Sequence, residues 1–313
     1  MEDVTYSGDT RVGGPADVRD LAELTISKLA VGRMDNNAYL LRCKRTGEAV
    51  LIDAAAEADR IVDLVGDGGL ARVITTHRHP DHWQALAEVV GVTGARTVAH
   101  PSDGDELPVS VDDPVEHGAA VPVGDCVLGV IHLRGHTPGS IALRYDDPEG
   151  GTHLFTGDSL FPGGVGKTWS DADFRSLLAD VEERVFAEMD DDTWVYPGHG
   201  KDTTLGAERP HLDEGRARGW GGPAAAGRAS APPLPGPWPR AERTPPAPTA
   251  PGAPPQGPGR GGAVSARTAG GVRRSRVRSG GTSRGRSRLR ASTGARTPRR
   301  AWRGSRAGSA PGP

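Results

Sequence analysis

"VITTHRHPDHWQAL", residues 73 to 86, places three histidines and an aspartate within six positions, directly after an apolar run. The residues of "ARVITTH" (71 to 77) read as a buried strand that delivers His77 at its end. On extended backbone, side chains two apart point the same way, so His77 and His79 can reach one metal ion. Pro80 then turns the chain, and Asp81 and His82 can face a second ion beside the first. Four adjacent polar groups at a strand end are costly to bury alone, and a metal is a partner that imidazole and carboxylate can share.

Order continues on both sides of this stretch. "LTISKLAVG" (24 to 32), "AYLLRC" (38 to 43) and "EAVLID" (48 to 53) are strand-like, the last two joined by the turn-forming "KRTG". "AAAEADRIVDLVGDGG" (54 to 69) spaces Ile61, Val62, Leu64 and Val65 on one helical face and stops in glycines. "HWQALAEVVGVTG" (82 to 94) reads as another helix and "RTVAH" (96 to 100) as a short strand. Beyond the polar loop "HPSDGDELPVSVDDP" (100 to 114), which reads as exposed, "DCVLGVIHL", "SIALRYD" and "THLFTGD" are three further strands. "DADFRSLLADVEERVFAEM" (171 to 189) starts at an acidic cap and repeats Phe174, Leu177, Leu178, Val181 and Val185 at helical spacing. "TWVYPGHG" (193 to 200) is a last strand and loop, and "LGAERPHL" (205 to 212) a short helix. Strands and helices thus alternate in two batches, each closed by a histidine-bearing loop. That predicts a layered α/β architecture with sheets inside and helices outside.

Composition marks where order stops. Residues 221 to 313 are Ala, Gly, Pro or Arg at 69 of 93 positions, so the folded part ends near Trp220. The expected division is an N-terminal segment 1 to 22, a domain 23 to 220 and a low-complexity tail 221 to 313. The tail holds 18 Arg and one acid, Glu242, a net charge of +17, against −19 for the first 220 residues. An acidic body argues against nucleic acid as its substrate. The tail is expected to be disordered, with the composition that a shifted reading frame of a GC-rich gene gives. Its alternative is a basic arm that binds nucleic acid by counterion release. Cys43 and Cys126 lack CxxC spacing and read as two reduced thiols. The amino terminus has no basic start followed by an apolar core, and no window approaches 18 apolar residues. A cytoplasmic protein without a membrane span is therefore expected.

"GHTPGS" (135 to 140), "TGDSLF" (156 to 161), "YPGHG" (196 to 200) and "LIDAA" (51 to 55) complete the candidate site. His136, Asp158 and His199 each sit at a strand end beside glycine, where backbone can approach closely and a side chain can project into a cleft. With the first stretch they make five imidazoles and two carboxylates, enough for six terminal ligands and one bridge. Asp53 either orients a ligand histidine or caps its strand. His100, His117, His132, His153 and His211 read as ordinary surface or hydrogen-bonded histidines. Two cations about 3.5 to 4 Å apart yield hydroxide near neutral pH and polarise a carbonyl, and no GxSxG nucleophile motif competes with that chemistry.

"THRHPDH", "GHTPGS", "GDSLF" and "PGHG", in this order and spacing, resemble the metallo-β-lactamase superfamily, and within it the glyoxalase II-like branch, over roughly residues 24 to 212. The resemblance implies an α+β four-layer αββα sandwich. It implies His77, His79 and His136 on one metal, Asp81, His82 and His199 on the other, and Asp158 as the bridge. Asp81 and Asp158 are the carboxylates expected to take part in catalysis. The implied cofactors are two divalent ions, zinc foremost, with iron or manganese accepted by the same donors. The implied reaction is hydrolysis of a small ester or thioester by a bridging hydroxide.

"GGVGKTW" (163 to 169) looks like the loop that holds a lysine and a tyrosine against glutathione in glyoxalase II. Lys167 and Trp169 fall on those positions and are the candidate substrate contacts, the plainer reading being a solvated lysine. That enzyme also has a helical domain after the sandwich and a tyrosine shortly after its last ligand histidine. This chain has "HGKD" there, and the composition after Trp220 predicts no such domain, which leaves open an acyl thioester on a different thiol carrier or another small ester. A bridging carboxylate and the missing export signal count against a β-lactamase. A persulfide dioxygenase of the same fold would use one iron on His77, His136 and Asp158. It carries arginine and aspartate where Lys167 and Trp169 stand, which favours the hydrolase.

Overall fold

In the computed structural model, which describes residues 6–219, the strands form two mixed sheets. β1 (Asp17–Asp20), β2 (Leu24–Val31), β3 (Asn36–Cys43) and β4 (Ala49–Ile52) pair antiparallel in sequence order. β5 (Arg72–Ile74), β6 (Arg96–Ala99) and β7 (Asp113–Pro114) extend the same sheet in parallel. Parallel neighbours need crossovers, and these carry α1 (Ala58–Val65), α2 (Leu86–Thr93) and α3 (Pro101–Gly104). β8 (Ala120–Val123), β9 (Cys126–His132), β10 (Ile141–Asp146) and β11 (Thr152–Gly157) open the second sheet. β12 (Leu160–Phe161) and β13 (Gly164–Val165) make a separate hairpin, followed by α4 (Asp171–Val181). β14 (Trp194–Pro197) then joins β11 in parallel, and β15 (Thr203–Thr204) and α5 (Leu205–Arg218) close the chain's described part.

Alternation along the strands explains the layers. Leu24, Ile26, Tyr39, Leu41, Val50 and Ile52 of the first sheet share one buried cluster with Leu128, Val130, Ile141, Leu143, Phe155 and Tyr196 of the second. Their neighbours in sequence face outward: Leu29, Val31, Leu40 and Leu51 meet Ile61 and Val65 of α1 and Leu86 and Val89 of α2. On the other side Ile131, Ala142, Leu154 and Val195 meet Leu177 and Val181 of α4 and Leu205 and Leu212 of α5. Each such side chain contributes about 1.5 to 3 kcal/mol by leaving water. Both faces of both sheets are apolar, which gives the αββα order. Cys43 and Cys126 are free thiols buried between the sheets. Among the described residues no helix is long and apolar enough to cross a membrane.

The structure departs from the sequence reading in several places. β1 lies within the stretch 1 to 22 set apart as an N-terminal segment, and Tyr6 packs against the inter-sheet core, so the domain begins earlier than residue 23. "DVRD" hid this because an edge strand can be held by backbone pairing with little apolar signal. The helix expected from His82 starts at Leu86, because Pro80–His82 form a 3₁₀ turn in which Asp81 and His82 are buried. The helix expected to run to Met189 leaves α geometry at Val181 and continues as a π turn, Glu182–Phe186. α5 outlasts the expected short helix, with Leu205 and Leu212 buried on either side of Pro210. The loop read as exposed carries α3, whose Asp103 is buried. The tail from 221 onward, with the disorder and the nucleic-acid arm considered for it, lies outside the described residues.

Candidate metal centre

The seven candidate ligands converge where β5, β11, β14 and the β9–β10 connection end. His77 Nε2 lies 3.2 Å from His136 Nε2, and His79 Nδ1 lies 2.8 Å from that same nitrogen. Beside them, His199 Nε2 stands 3.1 Å from His82 Nε2 and 3.2 Å from Asp81 Oδ2, with Asp81 Oδ2 3.5 Å from His82 Nε2. Asp158 spans the two groups: Oδ1 is 3.3 Å from His82 Nε2, and Oδ2 is 3.5 Å from both His136 Nε2 and His199 Nε2. Donors about 2.1 Å from one tetrahedral centre sit about 3.4 Å apart, which is the spacing seen here.

The tautomers follow from what lies behind each ring. His82 Nδ1 is 2.9 Å from Asp53 Oδ2, His136 Nδ1 is 2.7 Å from Lys167 O, and His199 Nδ1 is 2.8 Å from Met34 O. Each Nδ1 donates to an oxygen, which turns the Nε2 lone pair inward. His77 Nδ1 lies 3.0 Å from Thr76 Oγ1, and that hydroxyl gives its only proton to Asp53 Oδ2 at 2.8 Å. His77 is therefore the donor in its pair, with the same consequence for Nε2. Asp53 also accepts from Thr76 N at 2.8 Å and holds a left-handed φ of 58°. Both readings of this residue are realised: it caps a strand end and it orients His82.

Electrostatics separates the two groups. Burial pulls His77, His79 and His136 below the ordinary histidine range, His79 to about 4, and neighbouring imidazoles add to the effect. These three are neutral lone-pair donors at neutral pH. Burial acts the same way on His82 and His199, but the charge of Asp158 and nearby carboxylates outweighs it and lifts His199 to about 10. Burial would raise Asp81 and Asp158, yet the facing His199 and His82 hold both carboxyls ionised. Buried Asp158 Oδ1 accepts no hydrogen bond among the described residues. Converging lone pairs, two carboxylates and one orphaned oxygen fit cations, and three donor groups here could each hold a metal ion.

Close backbone approach is part of the site. A Cβ on Gly198 would lie 2.3 Å from Asp158 Oδ1 and 2.7 Å from His82 Cε1. Several supporting residues escaped the sequence reading. Asn36 Nδ2 donates to Asp81 Oδ2 at 3.0 Å, and Asn37 Nδ2 donates to Pro197 O and Gly200 O at 2.9 Å each. Tyr39 Oη donates to Pro197 O at 2.7 Å. Asp103 accepts from Arg78 N at 3.0 Å and Gly139 N at 2.8 Å, tying the first ligand loop to the loop of His136. Asn-Asn just before an apolar strand was the one local signal available. Lys167 and Trp169 are exposed at the rim: Lys167 Nζ sits 4.3 Å from the Trp169 ring centroid, and that ring is 6.1 Å from His79. Phe161 approaches His199, 6.3 Å between centroids, on the other side.

Known proteins are similar to this chain in sequence and fold. The family model for the Metallo-beta-lactamase superfamily matches residues 31–199. A hydroxyacylglutathione hydrolase of Polaromonas sp. is 36% identical over 166 residues, 52% of this chain and 62% of that relative's length. A protein of Aquifex aeolicus is 30% identical over 202 residues, 59% of this chain and 94% of its own. The chain thus spans less than two thirds of the hydroxyacylglutathione hydrolase it matches. Among solved structures, ETHE1 from Myxococcus xanthus is similar with a TM-score of 0.53 and 30% identity, over 60% of this chain and 82% of that one. A metallo-beta-lactamase from Staphylococcus aureus, at 23% identity and a TM-score of 0.55 over 62% of this chain and 64% of its own, shares the fold.

Proposed function

We propose, for a chain that belongs to the metallo-β-lactamase superfamily, the hydrolysis of a small ester or thioester at a pair of divalent metal ions. The observation that carries this reading is Asp158, whose two oxygens face both donor groups at once. His77 Nε2, His79 Nδ1 and His136 Nε2 would hold one ion; Asp81 Oδ2, His82 Nε2 and His199 Nε2 would hold the other. Zinc, iron and manganese all suit imidazole with carboxylate. Ions held there make water acidic enough to yield hydroxide near neutral pH and polarise the carbonyl under attack.

The protein's own part is orientation and proton handling. Asn36 donates to Asp81 Oδ2, the oxygen that faces His82 and His199, and so orients that carboxylate towards the second ion. Asp53 and Thr76 hold His82 and His77 in the tautomers that ligation needs. Lys167 and Trp169 offer a cation and an exposed ring to an anionic acyl carrier at the rim. The backbone carbonyl of Lys167 anchors His136, so the loop of the carrier contact is tied directly to a ligand. Likeness to hydroxyacylglutathione hydrolase supports the thioester class. A second reading, a one-iron persulfide dioxygenase on His77, His136 and Asp158, is compatible with the likeness to ETHE1.

Elemental analysis of the purified chain together with hydrolysis of S-lactoylglutathione tests the choice. About two equivalents of metal with thioester turnover is the expected result. A single iron, no turnover, and oxygen uptake with glutathione persulfide would replace it with the second reading.

A further inference from the structure

Lys28, on β2, is fully buried, and none of the chemistry above uses it. Its Nζ lies 2.8 Å from Gly8 O, 2.7 Å from Gly200 O and 2.7 Å from Asp202 Oδ1. An ammonium has three donors and no acceptor, so every N–H is engaged, and the geometry suits the charged form although burial pulls its pKa down. The other oxygen of Asp202 receives Tyr6 Oη at 2.6 Å and Trp194 Nε1 at 2.9 Å.

A buried ion pair is poor evidence of stability, since apolar residues of similar volume often serve as well. Its location is more telling. Gly200 directly follows His199, and Asp202 is two residues further on. Gly8 belongs to the N-terminal arm laid over that loop, where its carbonyl also accepts from Asp202 N at 3.1 Å. The stretch carrying His199 is bonded through backbone by Asn37 N to Gly198 O at 2.8 Å and Gly200 N to Asp35 O at 3.1 Å, while the carbonyls of Pro197 and Gly200 accept from side chains. Asn37 and Tyr39 donate to Pro197 O, and Lys28 shares Gly200 O with Asn37.

We propose that Lys28 is a positioning residue for His199: its ammonium fixes the carbonyl of Gly200 and so aims His199 Nε2 into the donor group it forms with Asp81 and His82. The inference rests on the dinuclear reading above. A merely structural lysine would weaken both donor groups alike when lost. A positioning lysine weakens the second and spares the first.

The full chain, freed of metal and titrated with zinc against a chromophoric chelator, separates these outcomes, and cobalt in place of zinc reports the second group by its absorption spectrum. Lys28→Met combined with Asp202→Asn removes the pair without leaving an orphan charge. This variant should bind the first ion as the wild type does and the second about 10- to 100-fold more weakly, with an altered cobalt spectrum for the second equivalent. Asn37→Ala removes other donors to the same loop and should show the same selective loss, which decides the matter should the double variant not fold. Tyr6→Phe loosens the arm but leaves Lys28 on Gly200, and should bind both ions normally. Equal weakening of both ions, or an unweakened second ion, in a folded variant overturns the inference alone. A wild type that binds one ion overturns the dinuclear reading with it.

Discussion

The first donor group is three imidazoles and the second two imidazoles with a carboxylate, and the two are held in opposite electrical states. His77 and His136 are buried as His82 is, His79 is half-buried, and burial lowers the affinity of all of them for protons. His136 faces Asp158 alone, whereas His82 and His199 each face a second carboxylate as well, Asp53 at 2.9 Å and Asp81 at 3.2 Å, and these together reverse the effect. Placement of Asp53, Asp81 and Asp158, and not depth, decides which imidazoles are neutral. The first group is thus ready for a cation at neutral pH, whereas the second must give up protons to receive one.

The substitution that should collapse the contrast is Asp158→Ala, because Asp158 is the one carboxylate that faces both groups. Turnover should fall by more than about 100-fold, and metal content should drop in both groups. Calorimetric titration and elemental analysis check this; loss of a single ion with the other intact would show that Asp158 serves one group. Asp53→Asn should sharpen the contrast by touching the second group alone. His82 would lose the acceptor that fixes its tautomer, and the second ion should bind about 10- to 100-fold more weakly while the first is retained.

The pH axis separates the groups without substitution. In the metal-free protein His199 sits at about 10, above its ordinary 6.5, so its stabilising proton is fully in place below 6.5 and is lost as pH rises through 10. His79 sits at about 4, so below 6.5 the unfolded chain takes a proton that the folded site refuses, and stability falls as pH drops towards 4. Thermal melts of the metal-free chain should therefore weaken in acid through the first group and in alkali through the second. Filling the second group with metal should remove the alkaline loss, because the ion replaces that proton.

How much of this was legible beforehand follows the range of each interaction. The four chemical groups of "HRHPDH" lie within one turn of chain, and the distant ligands each sit beside glycine at a strand end, so residue type and spacing expose them. Alternation in "LTISKLAV" and "IALRY" likewise carries the layers, since each residue's face depends on its own strand. Asn36, Lys28, Asp103 and Asp202 carry no such mark. A polar residue in a strand or loop normally faces water, and only contacts between segments distant in sequence bury these four side chains. Asp53 shows the limit well: strand position identified it, but the choice between cap and orienting group needed the coordinates of Thr76 and His82.

The smallest expected effect lies outside both groups. Trp169 is 49% exposed, touches the first group only through a ring-to-ring approach to His79, and carries Lys167 Nζ over its face. A cation over an exposed indole is worth about 0.5 to 1 kcal/mol, so Trp169→Ala should release Lys167 without unseating any ligand. Metal content and kcat should stay within about twofold, and KM for an anionic thioester should rise about 2- to 5-fold, the size of one such contact. Lys167→Ala should raise KM at least as far, because it removes the charge itself, while the Lys167 carbonyl still holds His136. If KM instead stays put for the anionic thioester in both variants, the rim makes no contact with the acyl carrier. Recognition would then have to come from the wall formed by Phe161 beside His199, and the first group would lose its link to the substrate.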